Sequence, residues 1–341
     1  MADTSSTPLE ELLLQSAGFK ALQMEQEAAH ALRKRSWEAE TGVYFTDPVE
    51  QKLRELDVVA LRRWYKRKKG GDELDATVYV PIECKSLAGQ SLIFGEDTQT
   101  TASRLTSWPG WRINEEQWSI VEALEAIHRR WRALESTSGV RHKPAEPVAI
   151  ARALSDAAFP DEHMLPTDLA LYPPDLAVRV SSFQETYPKA TGEKERRVVW
   201  DAFQKLQSAI TGFANDRFAN TKHDILGAAE TGMFEHEDPL DWAISSYRRD
   251  AAMIELFHPV IVVESPMFRI VRGRLDKAPY VRLVQRAAYG EAEFWADIVE
   301  RSALPAFVRA LDEGYNAAMK AAGAKQRRPK KSSGKAASKR H

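Results

Sequence analysis

The sequence predicts an α/β protein in which a mixed β-sheet is flanked by helices and decorated by a largely helical insertion. Three observations lead there. Runs rich in β-branched residues, such as TVYVPIECK and HPVIVVES, occur in both the first and the last third of the chain. Segments with apolar residues at helical spacing alternate with them. The run VIVV is apolar at every position, which suits a strand buried on both faces and so requires helices on either side.

Composition narrows the class. Of 341 residues, 48 are basic, 49 acidic and 43% hydrophobic, a balance that excludes fibrous, collagenous and wholly disordered proteins. The length allows one enlarged domain or two small ones. No apolar run approaches the roughly 20 residues needed to span a bilayer, and MADTSSTPLEELLL lacks the basic and apolar regions of a leader, so a cytoplasmic protein with no membrane partner is expected. A single cysteine, Cys84, excludes an intrachain disulfide, and eight histidines without paired spacing argue against structural zinc. There is no phosphate-cradling glycine loop. The residues from Lys325 to His341 carry eight Lys/Arg and no acid, so a chain with net charge −1 has −9 on its first 324 residues. This tail, poor in bulky apolar residues, is expected to be disordered over 320–341. It is either a solubilising end or a weak polyanion contact.

Along the chain, LQMEQEAAHALRKR reads as a helix with Leu22, Glu25, Ala29 and Leu32 on one face. That phase sets the Glu25 carboxylate toward the core, where it needs a cation, a metal or a donor, or else sits at a rim paired with Arg33 or Arg35. WEAETGVYF reads as a strand, Asp47-Pro48 as a turn, and LRELDVVAL as a compact apolar strand containing Asp57. The basic stretch RRWYKRKKGGDE then leads into TVYVPIECK, and the two strands read as a β-hairpin. These elements make a first part over 9–89. The segment 90–190 is a mainly helical insertion with one clear helix, NEEQWSIVEALEAIHRRWRAL, many prolines and one strand candidate, LAVRVSSF. The core resumes over 191–315 with a helix from Arg197 to about Phe213, whose apolar face is Val199, Phe203, Leu206 and Ile210. Strands HPVIVVES and FRIVRG, a helix near APYVRLVQRAAYG, a strand EFWADIV and a helix SALPAFVRALDE with Ser302 as candidate N-cap complete it.

Chemistry concentrates on the hairpin. In a strand, residues i and i+2 share a side, so Glu83 and Lys85 project together while Cys84 points away. Pairing with the preceding strand brings Asp57 close to Glu83, so two carboxylates and an ammonium share one small volume. Two adjacent carboxylates raise each other's pKa unless a cation lies between them, and hard oxygen ligands favour Mg²⁺ or Mn²⁺. A metal there polarises a phosphodiester oxygen and activates water, while Lys85 orients that water or stabilises developing charge. Glu25 is a candidate further carboxylate. A second Glu-x-Lys, Glu50-Gln51-Lys52, falls in a polar turn, so context separates the two. The competing reading of Asp57, Glu83 and Lys85 is a surface ion pair at a strand end.

The helix with Glu25, then RELDVVA over 54–60 and VPIECKS over 80–86, together resemble the PD-(D/E)xK nuclease superfamily, the restriction-endonuclease-like fold. The similarity extends to a bacterial subgroup of uncharacterised members whose core reads Arg-Glu-(Leu/Ile)-Asp-(Ile/Val)-(Val/Ala)-Ala and then Ile-Glu-Cys-Lys. The resemblance implies that Asp57 and Glu83 are metal ligands, that the Cys84 backbone carbonyl completes the metal shell, that Lys85 is the catalytic lysine, and that Glu25 supports them. It covers residues 18–86 well and Val198–Ala209, PVIVVESPMFRI and FWADIV more loosely. Leu56 stands where the family name has proline. Gln204 and Gln207 are candidates for a glutamine some members place after the lysine strand, although helical phase sets both off the apolar face. The implied activity is that of a Mg²⁺-dependent endodeoxyribonuclease, serving in defence against foreign DNA or in repair.

A basic cluster, Arg62, Arg63, Lys66, Arg67, Lys68 and Lys69 interleaved with Trp64 and Tyr65, gives a candidate nucleic-acid surface, since cations neutralise phosphates and rings stack on bases. The competing reading is a solvated loop. Trp108, Trp111, Trp118 and Trp131 fit core or interface positions better than a stacking platform. DNA is the expected partner, with RNA, a partner protein or a second copy of the chain left open. The alternative function is a non-cleaving nucleic-acid-binding or scaffold protein on the same fold.

Overall fold

The computed structural model describes residues 16–67, 73–87, 91–96, 176–186, 197–213, 253–286, 293–321 and 325–326. Helix α1 (Ala17–Arg33) opens them, capped by the Ser16 hydroxyl, which accepts the Phe19 N–H at 3.1 Å. Its buried stripe is Met24, Ala28 and Leu32 with Ala29 beside it, whereas Leu22, expected on that stripe, is 52% exposed. The reason is phase: Leu22 lies roughly 120° round the helix from Ala28, the centre of the Met24–Ala28–Leu32 line. Glu25 does fall within that arc and is half-buried.

Strands β1 (Glu38–Thr46), β2 (Leu53–Arg67) and β3 (Glu73–Lys85) form an antiparallel meander. Its first turn is fixed by the buried Asp47 carboxylate, which accepts the Val49 and Glu50 N–H groups at 2.9 and 3.0 Å and pairs with Arg54 at 2.8 Å. The expected hairpin is present, but β2 is 15 residues long instead of a compact strand. Arg62 to Arg67 therefore lie in the ladder and not in a loop.

Strands β4 (Ser91–Glu96) and β5 (Val178–Thr186) both join the main sheet. The region expected as an insertion over 90–190 thus begins and ends in sheet strands, while its expected helix and the four tryptophans at 108–131 lie outside the described residues. Helix α2 covers 198–213. Next come β6 (Met253–Phe257), β7 (Val260–Val263), β8 (Met267–Val271), β9 (Arg274–Lys277), β10 (Tyr280–Arg286) and β11 (Glu293–Glu300). A 3₁₀ turn (Arg301–Ala303) leads into helix α3 (Leu304–Ala321), and β12 (Lys325–Gln326) pairs with Trp64 and Tyr65 of β2.

Three expectations are corrected here. The segment near APYVRLVQRAAYG is not a helix but strand β10, antiparallel to β11 and parallel to β5. Val281, Arg282, Leu283 and Val284 are all buried, so the run is a two-face-buried strand whose arginine only imitates helical periodicity. Ser302 is not an N-cap: it sits inside the 3₁₀ turn, and its hydroxyl donates to Glu300 Oε1 at 2.5 Å. Lys325 and Gln326 belong to the sheet and not to a disordered tail; residues 327–341 lie outside the described set.

Among the described residues the sheet has twelve strands in the order β1-β2-β3-β7-β11-β10-β5-β4-β8-β9, with β12 on β2 and β6 on β3. Strand β3 is parallel to β6 and β7 in one continuous register, from Asp75↔Met253 to Lys85↔Val263. Pro81 and Pro259 fall opposite each other in that register, and neither has an N–H to offer, so the ladder breaks there into β6 and β7. Apolar residues pack on both faces. Helices α1 and α3 cover Val58, Ala60, Val78, Val80 and Ile82, while α2 covers Leu56, Ile261, Val263 and Ile298 through Val199, Phe203, Leu206 and Ile210. The result is a mixed α/β sheet flanked by helices. Among the described residues no helix is long and apolar enough to cross a membrane.

The alternation of faces slips once, at Asp57. Val58 and Ala60 face α1 and α3, but Leu56 faces α2; on β1, Ala39 and Phe45 change sides in the same way. Opposite Asp57 stands Gly42 with φ +67, and the β1–β2 ladder skips from Thr41↔Val58 to Val43↔Leu56. A glycine supplies the left-handed backbone at which both strands kink. A Cβ at Gly42 would also approach Glu55 Oε1 to 3.0 Å. Gly42→Ala is expected to cost about 1–2 kcal/mol, measurable as a lower urea midpoint with unchanged slope.

Candidate active site

The kink that turns β2 at Asp57 also ends its ladder with β3 at Val58↔Ile82. The next amide on that edge, the Cys84 N–H, is taken by the Asp57 carboxylate, donating to Oδ2 at 2.6 Å. Asp57 is thereby fixed to the end of β3. On β3, Ala76, Val78, Val80, Ile82 and Cys84 pack toward α1 and α3, so Glu83 and Lys85 project to the opposite side, toward α2. The Cys84 thiol is buried there and pushed well up by burial first and then by the surrounding carboxylates Asp57 and Glu25, so it is no nucleophile.

Four charged groups meet at this point. The Lys85 ammonium lies 2.6 Å from Glu83 Oε2 and 3.4 Å from Asp57 Oδ2. From α2, the Lys205 ammonium lies 2.7 Å from Glu83 Oε1 and 4.0 Å from Asp57 Oδ1. Each lysine thus spans the same two carboxylates from its own side. Glu83 is 0% exposed, which excludes the surface ion-pair reading. Both its oxygens are buried, each with one ammonium as its close neighbour. Burial raises the Glu83 pKa, Asp57 adds to the rise, and the two lysines oppose it. Burial works against the Lys85 ammonium, but Glu83 and Asp57 outweigh it and hold the pKa above its ordinary value.

Glu25 faces the same region from α1. Its pKa is raised by burial first, then by the negative charge of Asp57 and Glu55. Neither Arg33 nor Arg35 is its partner: the Arg33 guanidinium donates to the Ala39 carbonyl at 3.0 and 2.6 Å, and Arg35 contributes its carbonyl to Arg62. Two residues along α1, Glu27 accepts Arg301 at 2.7 and 2.6 Å, and Arg301 also reaches Glu264, to which the Ser86 hydroxyl donates at 2.9 Å. This chain of contacts ties α1 to the end of β3 and fixes where Glu25 stands.

Lys205 is the site residue that motif reading does not reach. Gln204 is exposed and Gln207 half-buried, and neither contacts the cluster. Lys205, three residues after Ala202 and four before Ala209, lies on a buried small-residue stripe of α2. A lysine on such a stripe is the available signal. Both ends of α2 are anchored: Glu185 of β5 accepts the Val198 and Val199 N–H groups at 3.3 and 2.9 Å. At the far end Gly212 lies so close to β1 that a Cβ would be 2.6 Å from the Thr46 carbonyl oxygen.

The residues of the expected nucleic-acid surface do not form one exposed cluster among the described residues. Arg62 is not available to a polyanion: it is 6% exposed, ion-paired with Asp312 of α3, and lies over the rings of Trp37 and Trp64 at 5.9 and 5.3 Å. Trp37 Nε1 donates to Asp312 at 3.2 Å, so the pair is part of the core between β2 and α3. Arg62→Ala is expected to destabilise the fold by about 3 kcal/mol, because Asp312 stays buried unpaired. Urea melts of the variant beside the unmodified chain measure this cost. Arg63 is exposed; of Lys66 and Arg67 only the strand position is described, and Lys68 and Lys69 lie outside the described residues.

Among the described residues no group of three or more His, Cys, Asp or Glu forms a ready metal shell. No protein family model, curated protein or solved structure matches the chain.

Proposed function

We propose that the chain is a divalent-metal-dependent nuclease of the restriction-endonuclease-like fold that hydrolyses phosphodiester bonds in DNA. One observation carries this reading: a fully buried Glu83 and the adjacent Asp57, on neighbouring strands that kink apart, are bridged by a lysine two residues from Glu83. A purely structural core has no reason to bury a carboxylate between two lysines whose desolvation must be repaid. The order α1, β1, β2, β3 and, after β4 and β5, helix α2 followed by strands parallel to β3 supports the fold assignment.

The donor set fits a hard divalent cation. Two carboxylates converge, and both oxygens of Glu83 are buried, each answered only by a lysine ammonium whose place a cation can take. Asp57 and Glu83 would hold the ion and Glu25 would add charge from α1. Such an ion, when bound, polarises a phosphoryl oxygen and lowers the pKa of water. Lys85, held between the carboxylates, is placed to orient the attacking water and to stabilise charge on the phosphorane oxygens. The Cys84 N–H fixes the Asp57 carboxylate so that its remaining lone pairs face the cluster.

The test is incubation of the protein with supercoiled plasmid, linear duplex and single-stranded DNA, in Mg²⁺ or Mn²⁺ and in chelator. Cutting that requires the metal and vanishes in an Asp57→Ala, Lys85→Ala double variant is the expected result. Salt-sensitive binding without cutting, unchanged in the double variant, would replace this reading with that of a binding module.

A further inference from the structure

Resting on the nuclease reading, we propose that Lys205 is a counter-ion that holds the carboxylate pair closed and moves to the scissile phosphate when a divalent cation and DNA enter together.

The argument is one of charge and position. Asp57 and Glu83 carry two negative charges, and Lys85 and Lys205 carry two positive ones, so the quartet is neutral as it stands. Adding a divalent cation without any other change leaves an excess of positive charge in a largely buried site, which the half-buried Glu25 offsets only in part. That is costly in a medium of low dielectric. Either an ammonium withdraws or an anion arrives, and a phosphodiester is the anion the reaction supplies.

Position selects Lys205 as the group that moves. Lys85 stands on the same strand as Glu83 and has both carboxylates within 3.4 Å. Lys205 comes from a helix in the other layer and touches Glu83 closely but Asp57 only at 4.0 Å. The two side chains are almost equally exposed, 22% for Lys205 and 24% for Lys85, so it is the looser hold on Asp57 that separates them. A lysine has four rotatable side-chain bonds and can swing its ammonium several ångströms without moving the helix. Glu185 at one end and Gly212 at the other hold that helix in register with β1 and β5. Lys205 is thus a mobile ammonium on a fixed base.

Two consequences follow. In the absence of DNA, Lys205 competes with the metal for Glu83, so metal binding is weak. Because coupling is reciprocal, DNA tightens metal binding and metal tightens DNA binding. Removing the ammonium relieves the competition but also removes a phosphate contact.

The experiment measures Mn²⁺ affinity by electron paramagnetic resonance on the full chain without DNA, alongside plasmid cleavage. The proteins are the unmodified chain, Lys205→Met, Lys205→Arg and Asp57→Asn. Lys205→Met is expected to bind Mn²⁺ roughly tenfold more tightly and to cleave roughly a hundredfold more slowly. Lys205→Arg should restore weak Mn²⁺ binding and recover part of the cleavage. Unchanged or weaker Mn²⁺ binding in Lys205→Met, or cleavage at the unmodified rate, overturns the proposal. Lys205→Gln serves in its place if Lys205→Met does not fold. Failure of the nuclease reading is distinguishable: the unmodified chain would then neither bind Mn²⁺ in an Asp57-dependent way nor cut DNA.

Discussion

Asp57→Asn is expected to lower metal-dependent cleavage by at least about a thousandfold while leaving the fold in place. The two effects separate because Asp57 has two tasks. As an acceptor it holds the Cys84 N–H at 2.6 Å, and an asparagine carbonyl oxygen does this equally well. As an anion it faces Lys85 at 3.4 Å and Lys205 at 4.0 Å, and no amide replaces that charge. The unfolding free energy from urea melts should therefore change by less than about 1 kcal/mol, while the single-turnover rate falls to the limit of detection. Asp57→Ala removes both tasks. It leaves the Cys84 amide without its acceptor at the end of β3, so it should lose activity and about 1–3 kcal/mol of stability together. If Asp57→Asn retained the unmodified cleavage rate, the hairpin carboxylates would not be the catalytic centre.

How much of this site can be read from the sequence depends on which geometry each residue needs. Glu83 and Lys85 need only the period of a strand, and VYVPIECK states that period plainly. Asp57 needs one long-range fact, the pairing of β2 with β3, which the polar linker between two apolar runs supplies. The kink that frees Asp57 from the ladder is less legible. It depends on Gly42, a single glycine across the sheet whose positive φ is a tertiary consequence. Lys205 has only the small-residue spacing of Ala202 and Ala209 to mark it, because the face of α2 that meets β3 is fixed by how Val199, Phe203, Leu206 and Ile210 seat on the sheet. A shift of one residue in phase would bring Gln204 there instead.

Two of the misread segments have a common cause. Sequence patterns treat arginine as a surface residue, yet Arg62 and Arg282 are both buried and paired. Arg282 gave YVRLVQR a false polar face and hence a false helix. Arg62 lent a solvent-facing character to a strand that packs on α3. In both cases an aspartate distant in sequence reverses the sign of the burial energy, Asp297 for Arg282 and Asp312 for Arg62. The nearby aromatic rings add to it: the Arg282 guanidinium lies 4.1 Å from the Trp295 ring centroid.

The second large effect follows from that buried centre. Arg282 and Asp297 face each other across β10 and β11, with Nε–Oδ1 at 2.7 Å and Nη2–Oδ2 at 2.8 Å. His258, in the break between β6 and β7, has Nε2 2.8 Å from Asp297 Oδ2 and Nδ1 2.9 Å from the Tyr315 hydroxyl. A carboxylate can only accept, so a neutral His258 donates from Nε2 and accepts the Tyr315 O–H at Nδ1. The centre joins β7, β10, β11 and α3. Arg282→Met is expected to destabilise the protein by about 3–5 kcal/mol, since it leaves Asp297 fully buried with only the histidine to answer it.

The same centre sets an acid sensitivity. Burial lowers the His258 pKa, against the pull of Asp297, so the unfolded chain takes up a proton that the folded chain refuses. The stability this represents is complete above about pH 6.5 and falls as pH drops toward the folded value, by up to about 1.4 kcal/mol per pH unit. Asp297 acts lower down: burial raises its pKa but Arg282 and His258 bring it to about 2, so its contribution is lost only below the ordinary carboxylate range. Glu25, Glu83 and Glu185, whose pKa values are raised, oppose the histidine, because they gain folded-state protons as pH falls. The net slope alone is therefore ambiguous. The difference between the unmodified chain and His258→Gln isolates the histidine. Urea midpoints taken from pH 7.5 to 5 should converge as pH falls, and parallel lines would mean that His258 does not titrate on unfolding in this range.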